Sequence, residues 1–241
     1  MSNHVNPPAR RRGPARSLDI DRVVDAALAV LDRGGAHTLG IRAVAAQLGV
    51  HPNALYTYVA DRAALERAVV ERALSLADVA ALTAPTLDWR ERITEYAIGL
   101  RRTLHAHPGA ASLLMSAPMD GVTALTVGEL LMASLEDAGL SPDDAARGTY
   151  LVIVTVVGAV ALDVAEVQGP NVPAENVWVA ARHEALEAVD HATMPRTAAA
   201  TPVIAAWVGE AQFRWSLGVV LDGLGGHATS PAQPAPPSRR S

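Results

Sequence analysis

The sequence predicts an all-α protein, in which a small N-terminal domain of three helices precedes a larger helical domain. Hydrophobic residues make up 50% of the 241 residues. Most of them are alanine, valine and leucine, and alanine and leucine are among the strongest helix formers. Apolar residues recur at helical spacing in successive segments. No segment shows the alternation of a strand beside a hairpin turn.

The first four predicted helices have recognisable ends. Residues 19–32 carry one apolar stripe that stops at two glycines, and residues 41–48 form a second, shorter helix. Pro52 suits the first position of a third helix, 52–59, because proline lacks the N–H that would be unpaired there. A long fourth helix, 62–82, follows an aspartate that can cap its first turn.

Six further helices are predicted, separated by glycine and proline. Their expected ranges are 88–106, 110–116, 121–138, 141–167, 174–190 and 202–224. Residues 169–173 and 192–201 are predicted loops. These segments belong to a second domain that is longer than the first and rich enough in apolar residues to bury a large core.

The two ends of the chain have a different composition. Residues 1–17 form a predicted disordered basic arm, and residues 227–241 a predicted disordered, proline-rich tail. The folded domains are expected at 18–65 and 66–226. Four arginines in the arm could follow a minor groove or phosphates, or could only keep the chain soluble. They are Arg10, Arg11, Arg12 and Arg16.

Composition excludes several kinds of site. The chain has no cysteine, so it has no disulfide, thiolate metal site or cysteine nucleophile. The N-terminus lacks the apolar core of a signal peptide, and the apolar stretch 151–162 is too short to span a bilayer. We therefore expect a cytoplasmic protein with no membrane partner and no cofactor.

Charge is distributed unevenly. The whole chain carries a net charge of −5, but the segment from Arg10 to Arg72 holds ten arginines against seven acidic residues. The rest of the chain is strongly acidic. This layout is typical of a protein that meets phosphate at one end only.

The segment 38–59 predicts a helix-turn-helix motif. Ala45 allows two short helices to approach closely, and Gly49 suits the turn between them. The inner face is apolar and consists of Val44, Leu48, Val50 and Leu55. The outer face of the last helix is small, polar and aromatic, as a helix in a major groove requires. It carries His51, Asn53, Ala54, Thr57 and Tyr58.

The same region resembles the tetracycline-repressor family. The resemblance rests on Ile41-Arg42-x-Val44-Ala45, then Leu48-Gly49-Val50, Leu55-Tyr56-x-Tyr58-Val59 and Asp61-Arg62-x-x-Leu65, and it covers residues 19–68. It implies a repressor that binds a palindromic double-stranded DNA operator as a homodimer and is released by a small-molecule effector. A helical binding protein without DNA binding, or an activator with the same DNA-binding domain, remains an alternative.

The resemblance implies a role for each exposed residue of the motif. Arg42 would reach a guanine edge, Asn53 and Thr57 would contact bases, and Ala54 a thymine methyl, with His51 on the same face. Phosphate contacts are implied for Thr38, Tyr56, Tyr58 and Arg62. Arg42 could instead be an ordinary solvated charge, and Tyr56 is partly a packing residue.

The later segments resemble tetracycline repressors proper. The similar stretches are His107-Pro108-Gly109 to Pro118 and Phe213-x-x-x-Leu217-x-x-x-Leu221-x-Gly223-Leu224. In that family a histidine near the first stretch binds the magnesium of the drug, whereas Leu113 stands at the matching position here. We therefore expect an apolar effector and no metal. The candidate pocket residues, which could equally be plain core, are Tyr96, Leu100, Leu113, Met115, Met119, Tyr150, Val154 and Trp178.

Two further expectations concern histidines and the dimer. His105 and His107 are two residues apart and so do not share a helix face, which favours interaction with the helix C-terminus over a metal site. The long helices 141–167 and 202–224 are the expected paired surface of the dimer. An effector would favour a dimer whose recognition helices are misplaced for the operator.

An enzyme is disfavoured. The chain lacks a Gly-x-Ser-x-Gly elbow, a phosphate-binding glycine loop and a His-Glu-x-x-His motif. The glycines near residue 225 stand at a helix end and are not followed by the helix of a dinucleotide site.

Overall fold

The computed structural model describes residues 18–116, 118–165 and 172–228, and within these ranges the chain is helical, without strands. The predicted all-α class is confirmed. The helices are α1 (Ile20–Gly34), α2 (Ile41–Leu48), α3 (Arg62–Ser75), α4 (Trp89–Ala106), α5 (Pro108–Leu114), α6 (Val122–Asp137), α7 (Pro142–Ala165), α8 (Glu175–Glu187), α9 (Pro195–Ala199), α10 (Thr201–Ala205) and α11 (Glu210–Ala228). Short 3₁₀ turns cover Ala36–Thr38, Pro52–Thr57, Val79–Thr83 and Ala206–Val208.

Some predicted features lie outside the described residues. They are the basic arm with Arg10, Arg11, Arg12 and Arg16, most of the loop 169–173, the end of the helix predicted at 141–167, and the tail beyond Ala228. The first two residues of the predicted tail belong to α11, which ends at Ala228.

Aspartate side chains start three of the helices. Asp19 accepts from the backbone N–H of Arg22 at 2.8 Å, and Asp61 accepts from that of Ala64 at 2.7 Å. Asp88 and Glu91 form a reciprocal capping box at the start of α4. Each cap satisfies a backbone donor that the helix itself leaves unpaired, so these starts are determined locally.

Three predicted boundaries were wrong. α3 ends at Ser75 instead of residue 82, because Asp78 accepts from Ala80 N–H and starts a separate 3₁₀ turn. The predicted loop 192–201 contains α9. The helix predicted at 202–224 is divided into α10 and α11, since the Glu175 carboxylate of α8 accepts from Glu210 N–H at 2.8 Å and caps α11 afresh.

One apolar core runs from α1 to α11. α4 lies at its centre and packs against α6, α7 and α11. α5 packs against α1 on one side and against α4 and α7 on the other. The short helix α5 therefore connects the N-terminal helices with the centre of the larger bundle.

α7 is 24 residues long and apolar, and by length and composition alone it could cross a membrane. The apolar stretch that sequence analysis judged too short is thus part of a longer helix. One face of α7 is nevertheless buried in the protein core, with Val152, Val156 and Val160 almost inaccessible. Asp163 is buried on the same helix and paired with Arg101. We interpret α7 as a core helix on this packing.

Candidate functional site

The helix-turn-helix motif is built by α2, a left-handed glycine and a 3₁₀ segment. Gly49 has φ 68°, a conformation that side chains with a Cβ rarely adopt, and it ends α2. Pro52 begins the segment Pro52–Thr57, which we call the recognition segment, and His51 Nδ1 accepts from Asn53 N–H at 3.3 Å. Leu55 is fully buried beneath it. The segment is a 3₁₀ helix, not the α-helix that sequence analysis predicted.

The recognition segment and α2 leave a polar surface in solvent. His51, Asn53, Tyr56 and Thr57 are exposed and Ala54 is half-buried. Arg42, on the first turn of α2, is exposed as well. Its guanidinium has no hydrogen-bond or ion-pair partner in the described part of the chain, so it is available to a ligand outside the protein.

Three residues predicted to contact phosphate have partners inside the protein. The Tyr58 hydroxyl donates to the backbone carbonyl of Leu18 at 2.6 Å, and the Thr38 hydroxyl donates to that of Gly35 at 2.8 Å. Arg62 pairs with Glu66 at 2.7 Å, one turn later on α3. These side chains hold the motif together, and their phosphate contacts stay predictions.

A cavity of about 170 Å³, partly open to solvent, lies between α3, α4, α5, α6 and α7. Tyr96, Leu100 and Met119, three of the predicted pocket residues, line it. Nine lining residues were missed by sequence analysis, and all are aliphatic: Leu74, Leu114, Ala124, Val127, Leu131, Val152, Ile153, Val156 and Val157.

The other five predicted pocket residues do not line this cavity. Leu113 and Trp178 are buried elsewhere in the core, while Met115, Tyr150 and Val154 are exposed. Helix phase is the reason. Tyr150 and Val154 share the solvent face of α7, whereas Val152 and Val156 share the opposite face. Apolar residues four positions apart, such as Val127 and Leu131, lie on one helix face and could have indicated which face is turned inward.

Tyr96 is the one residue with a polar side chain among the described residues that line the cavity. The residue is 3% exposed, and its hydroxyl is buried without a hydrogen-bond partner among the residues that the structure describes. Burial raises the pKa of the Tyr96 phenol above its ordinary value, which keeps the hydroxyl neutral and protonated. A buried polar group without a hydrogen-bond partner costs about 1–3 kcal/mol. The unpaired hydroxyl therefore destabilises the folded protein until an acceptor forms a hydrogen bond with it.

A second polar cluster joins α4, α7 and the turn before α11. Arg101 Nη2 donates to Asp163 Oδ2 at 3.1 Å and to the carbonyl of Val208 at 2.6 Å. His105 Nε2 lies 3.0 Å from the same carboxylate oxygen of Asp163. The sequence indicates His105 but not its partners, because Arg101 and Asp163 meet only through the packing of α4 against α7.

The contact between α5 and α1 is unusually close. A Cβ at Gly109 would lie 2.6 Å from the backbone carbonyl carbon of Leu31, so the two backbones touch there. Beside it, His107 Nδ1 lies 2.8 Å from Asp32 Oδ2 on α1. His105 and His107 thus bond to carboxylates on two different helices. One turn further, Leu114 of α5 lines the cavity.

Comparison with known proteins agrees with this architecture. Residues 82–227, more than half of the chain, match the family described as the tetracyclin repressor-like C-terminal domain. The chain belongs to the tetracycline-repressor family. Its helix-turn-helix precedes the matched region, and the cavity and the contact with α1 are formed largely by residues within it.

Several known sequences and solved structures are similar to this chain. An HTH-type transcriptional regulator of Saccharopolyspora erythraea is 30% identical over 69% of this chain and 64% of its own length. The chain spans 54% and 62% of two further curated regulators. A possible TetR family transcriptional regulator of Streptomyces coelicolor A3(2) is 31% identical, with a TM-score of 0.74 over 87% of this chain and all of its own. BioQ, solved with its double-stranded DNA operator, is 26% identical, with a TM-score of 0.62 over 88% of this chain and all of its own.

Proposed function

We propose that this protein is a homodimeric transcriptional repressor that binds a palindromic DNA operator and releases it when a small, largely apolar effector enters the cavity. The observation that carries the proposal is the helix-turn-helix, which leaves the side chains of Arg42, Asn53 and Thr57 exposed to solvent. Membership of a family of transcription regulators supports it. The DNA complex of BioQ, a similar protein, supports it further.

The exposed side chains fit the chemistry of a major groove. Arg42 offers a bidentate donor for a guanine edge, and Asn53 can bond to adenine. Thr57 and Ala54 are small enough to let the segment approach the bases closely. Tyr56 and His51 are exposed at its edges and are suited to phosphate oxygens. A single short segment has few contacts, so specificity requires two copies of the motif on one operator.

Exposed apolar residues on α7 and α11 supply the surface for dimerisation. Tyr150, Val154 and Leu162 follow one another at multiples of four residues along α7 and face solvent. Trp215 and Val219 do the same on α11, which packs beside α7. Exposed apolar residues on two helices that pack together are typical of an interface between subunits.

The position of α5 suggests how the effector acts on DNA binding. Leu114 of α5 lines the cavity, and Gly109 at the other end of the helix touches Leu31 of α1. An effector that displaces Leu114 would move α5. Because the backbones of α5 and α1 are in direct contact at Gly109, α1 would move with it. The effector then releases the operator only to the extent that it binds the displaced state more tightly.

Operator binding tests the proposal. Selection from a random pool of duplex DNA is expected to enrich a palindrome whose half-sites lie about one helical turn apart. Arg42→Ala should weaken binding to that site by about tenfold or more, since a bidentate base contact contributes about 1–3 kcal/mol. Affinities are measured by fluorescence anisotropy at one fixed salt concentration.

Arg196→Ala is the matched control, because Arg196 is an exposed arginine on α9, far along the chain from the motif. It should leave operator affinity within about twofold. Failure of the folded protein to enrich any sequence would contradict a repressor and favour a binding protein without DNA recognition. Enrichment of a site to which Arg42→Ala binds normally would contradict the assigned role of Arg42.

The dimer is tested by a charge on the exposed face of α7. Leu162→Glu should raise the dimer dissociation constant at least about tenfold, because the interface would have to bury an unpaired carboxylate. Leu125→Glu on α6 introduces the same charge at a leucine of similar exposure and should have no effect. Sedimentation equilibrium measures both. An equal effect of the two variants would place the interface elsewhere.

A further inference from the structure

The hydroxyl of Tyr96 is the chemical feature of this cavity that packing alone does not explain. Among the described residues that line the cavity, all but Tyr96 are aliphatic, alanine or methionine, and none carries a charge. A phenylalanine at position 96 would fill the same space without leaving an unpaired hydroxyl. The hydroxyl therefore costs stability in the free protein and is best explained by a partner that comes with the ligand.

We propose that the effector is a compact, uncharged molecule of one or two rings whose carbonyl-type oxygen accepts a hydrogen bond from Tyr96. This inference rests on the proposed function, because it takes the cavity to be the effector site. It adds the chemical class of the ligand and the residue that recognises it.

A water molecule is a poor partner for this hydroxyl. A buried water needs two to four polar partners, and an apolar cavity of about 150 Å³ stays dry and binds small aromatic molecules instead. Tyr96 is the one polar side chain that the structure describes along this lining. A ligand with an apolar body and a single acceptor satisfies the hydroxyl and the aliphatic wall together.

Tyr96 is neutral and keeps its proton. A neutral phenol can donate or accept, and a ligand oxygen that accepts from Tyr96 pairs its buried O–H. An ionised ligand does not fit, since none of the lining residues described by the structure carries an opposite charge and an unpaired ion is costly in an apolar site. Carboxylates, amines and metal chelates of a drug therefore do not suit this wall.

The volume of the cavity limits the size of the ligand. About 170 Å³ is below the roughly 300–1,000 Å³ of sites for drug-sized ligands. Met119 lies on this wall and is 39% exposed. Its flexible side chain can move without disturbing a helix, so this is the side where a ligand enters.

The test uses three probes with the same two-ring body, and the full-length protein. 1-Tetralone carries one ketone, tetralin carries none, and tetralin-1-carboxylate carries a charge. Equilibrium dialysis should show 1-tetralone binding the wild type about five- to tenfold more tightly than tetralin, as expected for one net hydrogen bond. The carboxylate should not bind measurably.

Tyr96→Phe should abolish the preference for the ketone and leave tetralin binding within about twofold. The Tyr96 hydroxyl has no partner in the described part of the chain, so this variant should unfold at the same temperature as the wild type or higher. Tyr150→Phe, at an exposed tyrosine on α7, should retain the full preference. The chain has no cysteine or lysine side chain, so covalent capture of a ketone does not complicate the result.

Four outcomes would overturn the inference: equal binding of ketone and hydrocarbon to the wild type, a preference that persists in Tyr96→Phe, tight binding of the carboxylate, or no binding of either neutral probe. Operator binding is measured separately on the same samples. A ketone preference in a protein that binds no operator would contradict the proposed function and leave the assignment of Tyr96 standing.

Discussion

Asp163→Ala is expected to lower the free energy of unfolding by about 3–5 kcal/mol, the typical effect of removing one partner from a buried ion pair. Arg101 and Asp163 are both almost inaccessible to solvent, and the carboxylate also bonds to His105. Without it, the guanidinium keeps one acceptor, the carbonyl of Val208. Urea denaturation at a fixed protein concentration, which matters for a dimer, measures the loss.

Two comparisons identify the cause of this loss. Asp222→Ala removes the partner of Arg90 at the surface and should cost less than about 1 kcal/mol, because exposed ion pairs contribute little. Arg101→Met in the Asp163→Ala background should recover much of the stability, since it removes the uncompensated charge. If the double variant is no more stable than Asp163→Ala, packing and not charge explains the effect.

Gly109→Ala is expected to destabilise the protein by about 1–3 kcal/mol, the usual cost of forcing extra atoms into a packed interface. The added methyl would lie 2.6 Å from the carbonyl carbon and oxygen of Leu31 and 2.7 Å from its Cβ. Backbone atoms of α1 cannot rotate away as a side chain can, so α5 and α1 must separate. We expect operator affinity to fall as well, because α1 supports the helix-turn-helix.

Gly99→Ala is the matched control. Gly99 lies within α4, and a Cβ there would meet nothing within 4 Å. This substitution should raise stability by up to about 1 kcal/mol, because alanine is the better helix former. Thermal unfolding and operator anisotropy are compared for both variants. A Gly109→Ala protein with normal stability and normal operator affinity would contradict the rigid contact between α5 and α1.

Local interactions explain what could be predicted from the sequence alone. The starts at Asp19, Asp61 and Asp88 depend on a side chain and a backbone N–H three residues apart, and the end of α2 depends on the left-handed conformation of Gly49. The helix-turn-helix and its exposed Arg42 follow from neighbours within one short segment. These features require no knowledge of distant parts of the chain, and they were enough to indicate the family.

Contacts between residues distant in the sequence explain the helix boundary that was predicted wrongly near the C-terminus. The helix predicted at 202–224 is interrupted because Glu175, 35 residues earlier, caps α11. The Tyr58 hydroxyl donates to the carbonyl of Leu18, 40 residues away, a partner that the sequence did not indicate. In both cases the side chain bonds to a group that is distant in the sequence. Local sequence patterns do not show which distant group that is.

The sequence by itself determined the helical class, the helix-turn-helix and most helix starts, because these depend on residues a few positions apart. Tertiary structure alone decided which faces of α4, α6 and α7 meet around the cavity, and therefore that Tyr96 lines it while Tyr150 and Val154 face solvent. It also brought Arg101 to Asp163 and Gly109 to Leu31. An amphipathic pattern shows that a helix has a buried face, but the partner of that face is chosen by packing of the whole chain.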